Sequence, residues 1–253
     1  MSVLHLEDVV VAGVGGDRLR VPALALSPGL VVVVGENGAG KSTLLDVLAG
    51  LLCPAVGRVL LDGEPLSSRS PAERARRVAS LGQRPRAAPW LRVRERVAQG
   101  LIPRLGAGPP SSPRVHRAVD DVAAALGIAG LLDRPLAALS GGEQQRAHVA
   151  RALIDDDAAV VLLDEPFAGL DEAGCALLVR ALRARADAGT VVVVSVHDLG
   201  LAALLGGRVL GLRAGGIVVD GVGLAGLEAA APLLGPGLRV TSVDGAVGVL
   251  RAR

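Results

Sequence analysis

Nine consecutive residues carry the most readily named chemistry: Gly35-Glu36-Asn37-Gly38-Ala39-Gly40-Lys41-Ser42-Thr43. Gly35, Gly40, Lys41 and Ser42 fit the pattern G-x-x-x-x-G-K-[ST], a loop that cradles phosphates. Glycine lets backbone N–H groups close on phosphate oxygens with no Cβ in the way. A helix that begins as the loop ends adds partial positive charge aimed at the same anion. Lys41 brings a compact ammonium to the β- and γ-phosphates, and Ser42 offers a hydroxyl to Mg²⁺. Asn37, Gly38 and Thr43 complete the cradle. Lys41 is also the only lysine in a chain whose other basic residues are almost all arginine. A guanidinium's wide fork does not fit such a cradle, which is a reason for one lysine to stand here. ATP and Mg²⁺ are the expected cofactors.

A second chemical group ends an apolar run, Val160-Val161-Leu162-Leu163-Asp164-Glu165. In phosphate-loop ATPases an aspartate so placed holds Mg²⁺, and the following glutamate can polarise the attacking water as general base. Asp164 is therefore a candidate metal ligand and Glu165 a candidate catalytic base.

Elements must position these groups. Val31–Val34 leads directly into the glycine loop, and Ser42 to Leu52 reads as a helix with Leu44, Leu45, Leu48 and Leu51 on one side. Val59–Leu61 followed by Asp62-Gly63 reads as a strand and turn. Val160–Leu163 and Val191–Val194 are continuous apolar runs, as expected of strands buried on both faces of a largely parallel sheet. Ala173 to Ala186 is a helix between them, so the core is layered α/β. From about residue 84 to 153 the β runs vanish and three helices are expected, at Arg92 to Leu101, Pro113 to Leu126 and Gly142 to Leu153, with a Pro/Gly/Ser loop at Gly106 to Pro113. The expected division is an ATPase core in two parts (1–83 and 154–225), an inserted helical subdomain (84–153) and a small C-terminal extension (226–253). A hairpin is expected in that extension, Leu238 to Val243 and Ala246 to Leu250 around Asp244-Gly245.

Composition narrows the class. Half the chain is apolar (51%), but the excess is Ala, Val and Leu. No stretch supplies the roughly 20 unbroken apolar residues that a spanning helix needs. Met1 to His5 shows no export signal, so a soluble cytoplasmic chain is expected, with Cys53 and Cys175 as two buried reduced thiols. A net charge of +2 says little about partners.

Leu139-Ser140-Gly141-Gly142-Glu143-Gln144-Gln145-Arg146 opens a helix, with Ser140 and Glu143 in capping-box spacing. Here the chain resembles the ATP-binding cassette (ABC) family, whose signature reads LSGGQ or LSGGE. The resemblance spans roughly Leu4 to Asp220. It implies that Gln83 senses the metal and the γ-phosphate and that Ala168-Gly169-Leu170-Asp171 contacts a second subunit. It also implies that His197 is the switch histidine at the γ-phosphate. Two copies would close head to tail, each ATP lying between one copy's Lys41 loop and the other's Ser140, Gly141 and Gly142. The family usually stacks adenine on an aromatic residue early in the chain. None occurs before Trp90, so Val11, Val14 or Arg20 is expected at the base, with weak discrimination between ATP and GTP.

Ala75–Ala79 and Pro89–Gly100 resemble ATPases of importers for ferric siderophores, haem and cobalamin. That resemblance implies transmembrane permease subunits as partners, an external substrate-binding protein, and a place on the cytoplasmic face of the membrane. Trp90 is either a docking side chain for such a permease or an ordinary half-buried tryptophan. The alternatives are an exporter or metal-ion importer subunit, or a non-transport ATPase acting on nucleic acid. Arg69 to Arg104 is rich in arginine but lacks the interleaved aromatics that stack bases, so nucleic acid is not an expected partner.

Overall fold

The computed structural model describes residues 4–83, 87–105, 112–235, 238–243 and 246–251. In chain order its first elements are β1 (Leu4–Gly13), β2 (Gly16–Leu26), β3 (Gly29–Val34), α1 (Lys41–Leu48), β4 (Val56–Leu61), β5 (Glu64–Pro65), α2 (Pro71–Arg77) and β6 (Val78–Leu81). A helical run follows: α3 (Val93–Ala98), α4 (Ile102–Leu105), α5 (Pro113–Ala125) and α6 (Gly141–Leu153). Then come β7 (Val160–Asp164), α7 (Glu172–Asp187), β8 (Val191–Val196), α8 (Leu199–Leu205), β9 (Arg208–Arg213), β10 (Gly216–Val222) and α9 (Gly223–Ala230). The chain closes with β11 (Leu238–Val243) and β12 (Ala246–Arg251).

Ten strands form one sheet in the order β5-β4-β1-β2-β10-β9-β3-β8-β7-β6. From β9 to β6 every pairing is parallel. The β1–β2, β1–β4 and β4–β5 pairings are antiparallel. This is the α/β core expected of the sequence, with an antiparallel N-terminal part.

The valine runs lack hydrophobic alternation because both sheet faces are covered. Val32, Val34, Val161, Leu163, Val192 and Val194 join one core, with Leu178 and Leu182 of α7 and Leu199 of α8. Val31, Val33, Val160, Leu162, Val191 and Val193 join the other, with Leu44, Leu45 and Leu48 of α1. With no solvated face, no polar residue is needed at every second position. The helical run shares the first of these cores: Val93 and Val97 of α3, Val115 and Val119 of α5 and Val149 of α6 belong to it.

Three expectations need correction. Helix α1 ends at Leu48, where Gly50 takes φ +66, so Leu51 is 71% exposed instead of continuing the apolar side. Cys53 follows that helix end and is exposed, while Cys175 on α7 is partly buried, so the pair is not two buried thiols. Trp90 is 77% exposed and not half-buried. The C-terminal hairpin does form, β11 pairing antiparallel with β12 beside α8 and α9. Its tip, Asp244-Gly245, lies outside the described residues, as does most of the loop from Gly106. Among the described residues no helix is long and apolar enough to cross a membrane.

Candidate functional site

Strands β3, β8, β7 and β6 are parallel neighbours, so their C-terminal ends share one sheet edge. In open α/β sheets that edge is where ligands bind. The glycine loop follows β3, His197 follows β8, Asp164 and Glu165 end β7, and Gln83 lies just beyond β6. Side chains far apart in sequence thus meet in a cleft of about 780 Å³ lined by Asn37, Gly38, Gly40, Lys41, Ser42, Thr43, Gln83, Glu165 and His197. Gly35 and Asp164 lie behind this wall.

The loop's glycines are dictated by backbone geometry. Gly40 caps α1 at φ +105, a left-handed conformation that side chains disfavour, and no side chain caps the helix. A Cβ on Gly35 would lie 2.5 Å from the carbonyl oxygen of Leu212. Lys41 is buried, and its Nζ donates to the carbonyl oxygens of Gly35 (2.7 Å) and Glu36 (3.1 Å). Burial lowers its pKa, while the Glu165 and Asp164 carboxylates oppose that shift. The ammonium therefore feels the field of both acids at the end of β7.

Strand alternation would send Asp164 and Glu165 to opposite faces. Glu165 escapes because its φ is +49, in the left-handed region, which turns its side chain to line the cleft. A non-glycine residue held there is strained, and such strain gathers at functional positions. The holding group is Ser195, which the sequence reading missed. Its hydroxyl donates to Asp164 Oδ1 and accepts the backbone N–H of Glu165 at 2.9 Å. The sequence signal for it was one hydroxyl in an otherwise apolar run, which the fold buries fully, opposite Asp164 in register.

The oxygen donors Ser42, Gln83 and Asp164 suit a hard cation. Mg²⁺ is usually held by one or two carboxylates together with waters and substrate phosphates. Among the described residues no group of three or more His, Cys, Asp or Glu residues forms a metal cage of its own.

Two sets of expected residues lie elsewhere. Ser140, Gly141 and Gly142 start α6 outside this cleft. Ser140 caps the helix there, its hydroxyl accepting the Glu143 N–H (3.3 Å) while Glu143 Oε2 accepts the Ser140 N–H (2.8 Å). A Cβ on Gly142 would lie 2.7 Å from the carbonyl oxygen of Gly169, so the glycine allows a close backbone approach. Gln145 ties the same helix to the acid pair's loop through the carbonyl oxygen of Pro166 (3.2 Å). The residues expected at the base are also absent from the lining of this cleft. Val11 is buried in the core, Val14 is fully exposed, and Arg20 pairs with Asp17 at 2.7 Å. Asp17, Arg18, Ala214 and Gly215 line that end of the cleft instead.

A protein-family model described as "ABC transporter" matches residues 22–168. The chain is 41% identical over 221 residues to "Hemin import ATP-binding protein HmuV" of Pseudomonas putida, covering 84% of each. It is 44% identical over 195 residues to the protein of that name from Nocardia farcinica, covering 76% of this chain and 66% of the relative. Among solved structures, a nucleotide-free ATP-binding cassette from an ABC transporter has a TM-score of 0.79 at 22% identity, over 91% of this chain and 95% of that one. A dimeric bacterial ABC transporter cassette has a TM-score of 0.77 at 24% identity, over 87% and 98%. These last two likenesses are of fold.

Proposed function

The chain belongs to the ABC transporter family, and from that premise we propose that this ABC-type ATPase drives a haem-type importer. ATP binding and hydrolysis come with the family. The relatives named for hemin import, at 41% and 44% identity, carry the choice of substrate. Permease subunits would bind the cargo and span the membrane, with this chain docked on their cytoplasmic side and an external binding protein delivering the cargo. The exposed Trp90, close to Gln83 in sequence, supports a docking face there.

Within the cleft, the loop N–H groups, Lys41 and the α1 N-terminus bind the triphosphate. Ser42, Gln83 and Asp164 would hold Mg²⁺, which when bound neutralises phosphate charge. Glu165, turned into the cleft and held by Ser195, takes the proton of the attacking water, and His197 donates to the γ-phosphate oxygen. Ser140, Gly141 and Gly142 lie outside the cleft of their own chain, which supports their serving a second copy. The working unit is then a homodimer around two ATP molecules.

The test is transport by proteoliposomes carrying the permease and this subunit. ATP-dependent haem accumulation is expected, and Glu165→Gln should slow turnover by roughly 10²- to 10⁴-fold, the usual share of a general base, while ATP still binds. Uptake of a ferric siderophore or cobalamin but not haem would overturn the substrate assignment. Unchanged turnover in the variant would overturn the role of Glu165.

A further inference from the structure

One cation in the cleft has no role so far. Arg18 lines the end opposite Gln83 and Glu165, and its Nη2 donates to Thr43 Oγ1, on the last residue of the glycine loop, at 3.2 Å. Its backbone is fixed against that loop. Gly215 donates its N–H to the carbonyl oxygen of Ala39 (3.0 Å), and Arg20 donates its own to the carbonyl oxygen of Gly215 (2.8 Å). A Cβ on Gly40 or Gly215 would lie 3.2 or 2.7 Å from the carbonyl oxygen of Arg18, so two glycines permit the approach.

Arg18 makes no ion pair among the described residues. Its neighbour Asp17 is taken by Arg20 through two hydrogen bonds, at 3.0 and 2.7 Å. Asp46, one turn beyond Thr43 on α1, feels Arg18 electrostatically without reaching it. Among the described residues the remaining wall at this end is Ala214 and Gly215, small residues that offer a base no broad face.

We propose that Arg18 is a phosphate ligand of the bound nucleotide. It takes the phosphate next to the nucleoside, at the Thr43 end of the loop, so nucleotides are selected by their phosphates with the base left largely unread. This rests on the triphosphate lying in the cleft as proposed above. A guanidinium presents a planar fork that pairs with phosphate oxygens, and its charge strengthens each bond. Lys41 then holds one end of the phosphate chain and Arg18 the other.

The test measures, by titration calorimetry on the full chain, Mg-ATP, Mg-GTP and Mg-tripolyphosphate, the last having three phosphates and no nucleoside. Wild type should bind ATP and GTP within roughly threefold. Arg18→Ala should weaken all three ligands alike, by roughly ten- to a hundredfold, the usual loss of a hydrogen bond to a charged group. Arg18→Lys, keeping the charge, should recover part of that. A loss for ATP and GTP with tripolyphosphate unchanged would make Arg18 a stacking platform and overturn the proposal, as would no loss for any ligand. Lys41→Ala separates this from the underlying reading. If it too leaves tripolyphosphate binding unchanged, the phosphates do not occupy this cleft, and both readings fall together.

Discussion

Helices α1 and α6 both begin with glycine-rich turns, and their first turns are electrically opposite. At α1 the cap is Gly40, no side chain satisfies the N–H groups, and no acid lies in the first turn. At α6 Ser140 and Glu143 form a complete capping box, and the Glu143 carboxylate accepts from both the N–H and the hydroxyl of Ser140. A helix N-terminus carries about half a positive charge with its orphan N–H donors. The α6 end brings its own counter-charge and so stabilises the fold by itself. The α1 end has none, and it adds a buried ammonium that is worse off there than in water. Such an end is a structural cost unless an anion arrives from outside, which is why the two ends are expected to answer differently to mutation.

The largest contrast should come from Lys41→Ala. ATP affinity and turnover are expected to fall by roughly a hundredfold or more, the scale of losing a preorganised charge at a reacting phosphate. The thermal midpoint without nucleotide should hold or rise, because a desolvated cation has been removed. Calorimetric scans with and without ATP read both effects, since ligand that binds only the folded state raises the midpoint. A midpoint that drops without nucleotide would make Lys41 a structural residue, and the contrast with α6 would collapse.

The body of α6 offers a smaller effect, readable by pH. His148 is buried and accepts from Arg96 Nε through Nδ1 at 3.0 Å, while Arg96 also donates to Gln99. Burial, with Arg96 and Arg151 nearby, pushes the His148 pKa down to about 4. The folded chain thus keeps this imidazole neutral, while the unfolded chain protonates it near its ordinary value of 6.5. Its contribution to stability is full above pH 6.5 and is lost as the pH falls toward 4, by about 1–2 kcal/mol once solvent screening is allowed for. His148→Gln keeps an acceptor for Arg96 and removes the titration. Urea unfolding at pH 7 and pH 4 should show the wild type losing that much more than the variant. Equal losses would mean that His148 is already charged in the fold.

The α1 end and the acid pair were legible in sequence because their chemistry restricts residue types within one contiguous run. The parallel core was legible for a related reason, since doubly covered strands must be apolar throughout. What escaped was assembled across distance. Ser195 reaches Asp164 and Glu165 only through the β7–β8 register, and by composition it was one polar residue among valines. Arg18 joins the cleft because the β9–β10 turn bolts β2 to the glycine loop, a contact that no local pattern announces. Val11 was misplaced at the base because an inward position on β1 is also a core position, and the core claims it. Leu51 was placed on the apolar side because leucine spacing continues past Leu48, whereas Gly50 ends the helix.

The smallest expected effect tests whether the self-satisfied end of α6 is also a site. Hydrogen bonds from the Ser140 N–H and hydroxyl hold the Glu143 carboxyl below its ordinary pKa, so it is ionised at neutral pH. If this helix end meets a second copy's γ-phosphate, as proposed, that phosphate approaches a carboxylate as well as two glycine N–H groups. Glu143→Gln keeps the capping box, since glutamine serves at that position as glutamate does, and it removes the like charge. ATP-driven dimer formation should therefore tighten, by roughly twofold to fivefold, the scale of one charge at a helix N-terminus. Sedimentation in a Glu165→Gln background, which is expected to hold the nucleotide intact, reads this directly. An unchanged dimer constant with an unchanged thermal midpoint would mean that Glu143 faces no phosphate. The α6 end would then be a cap alone, and the contrast with α1 would be complete.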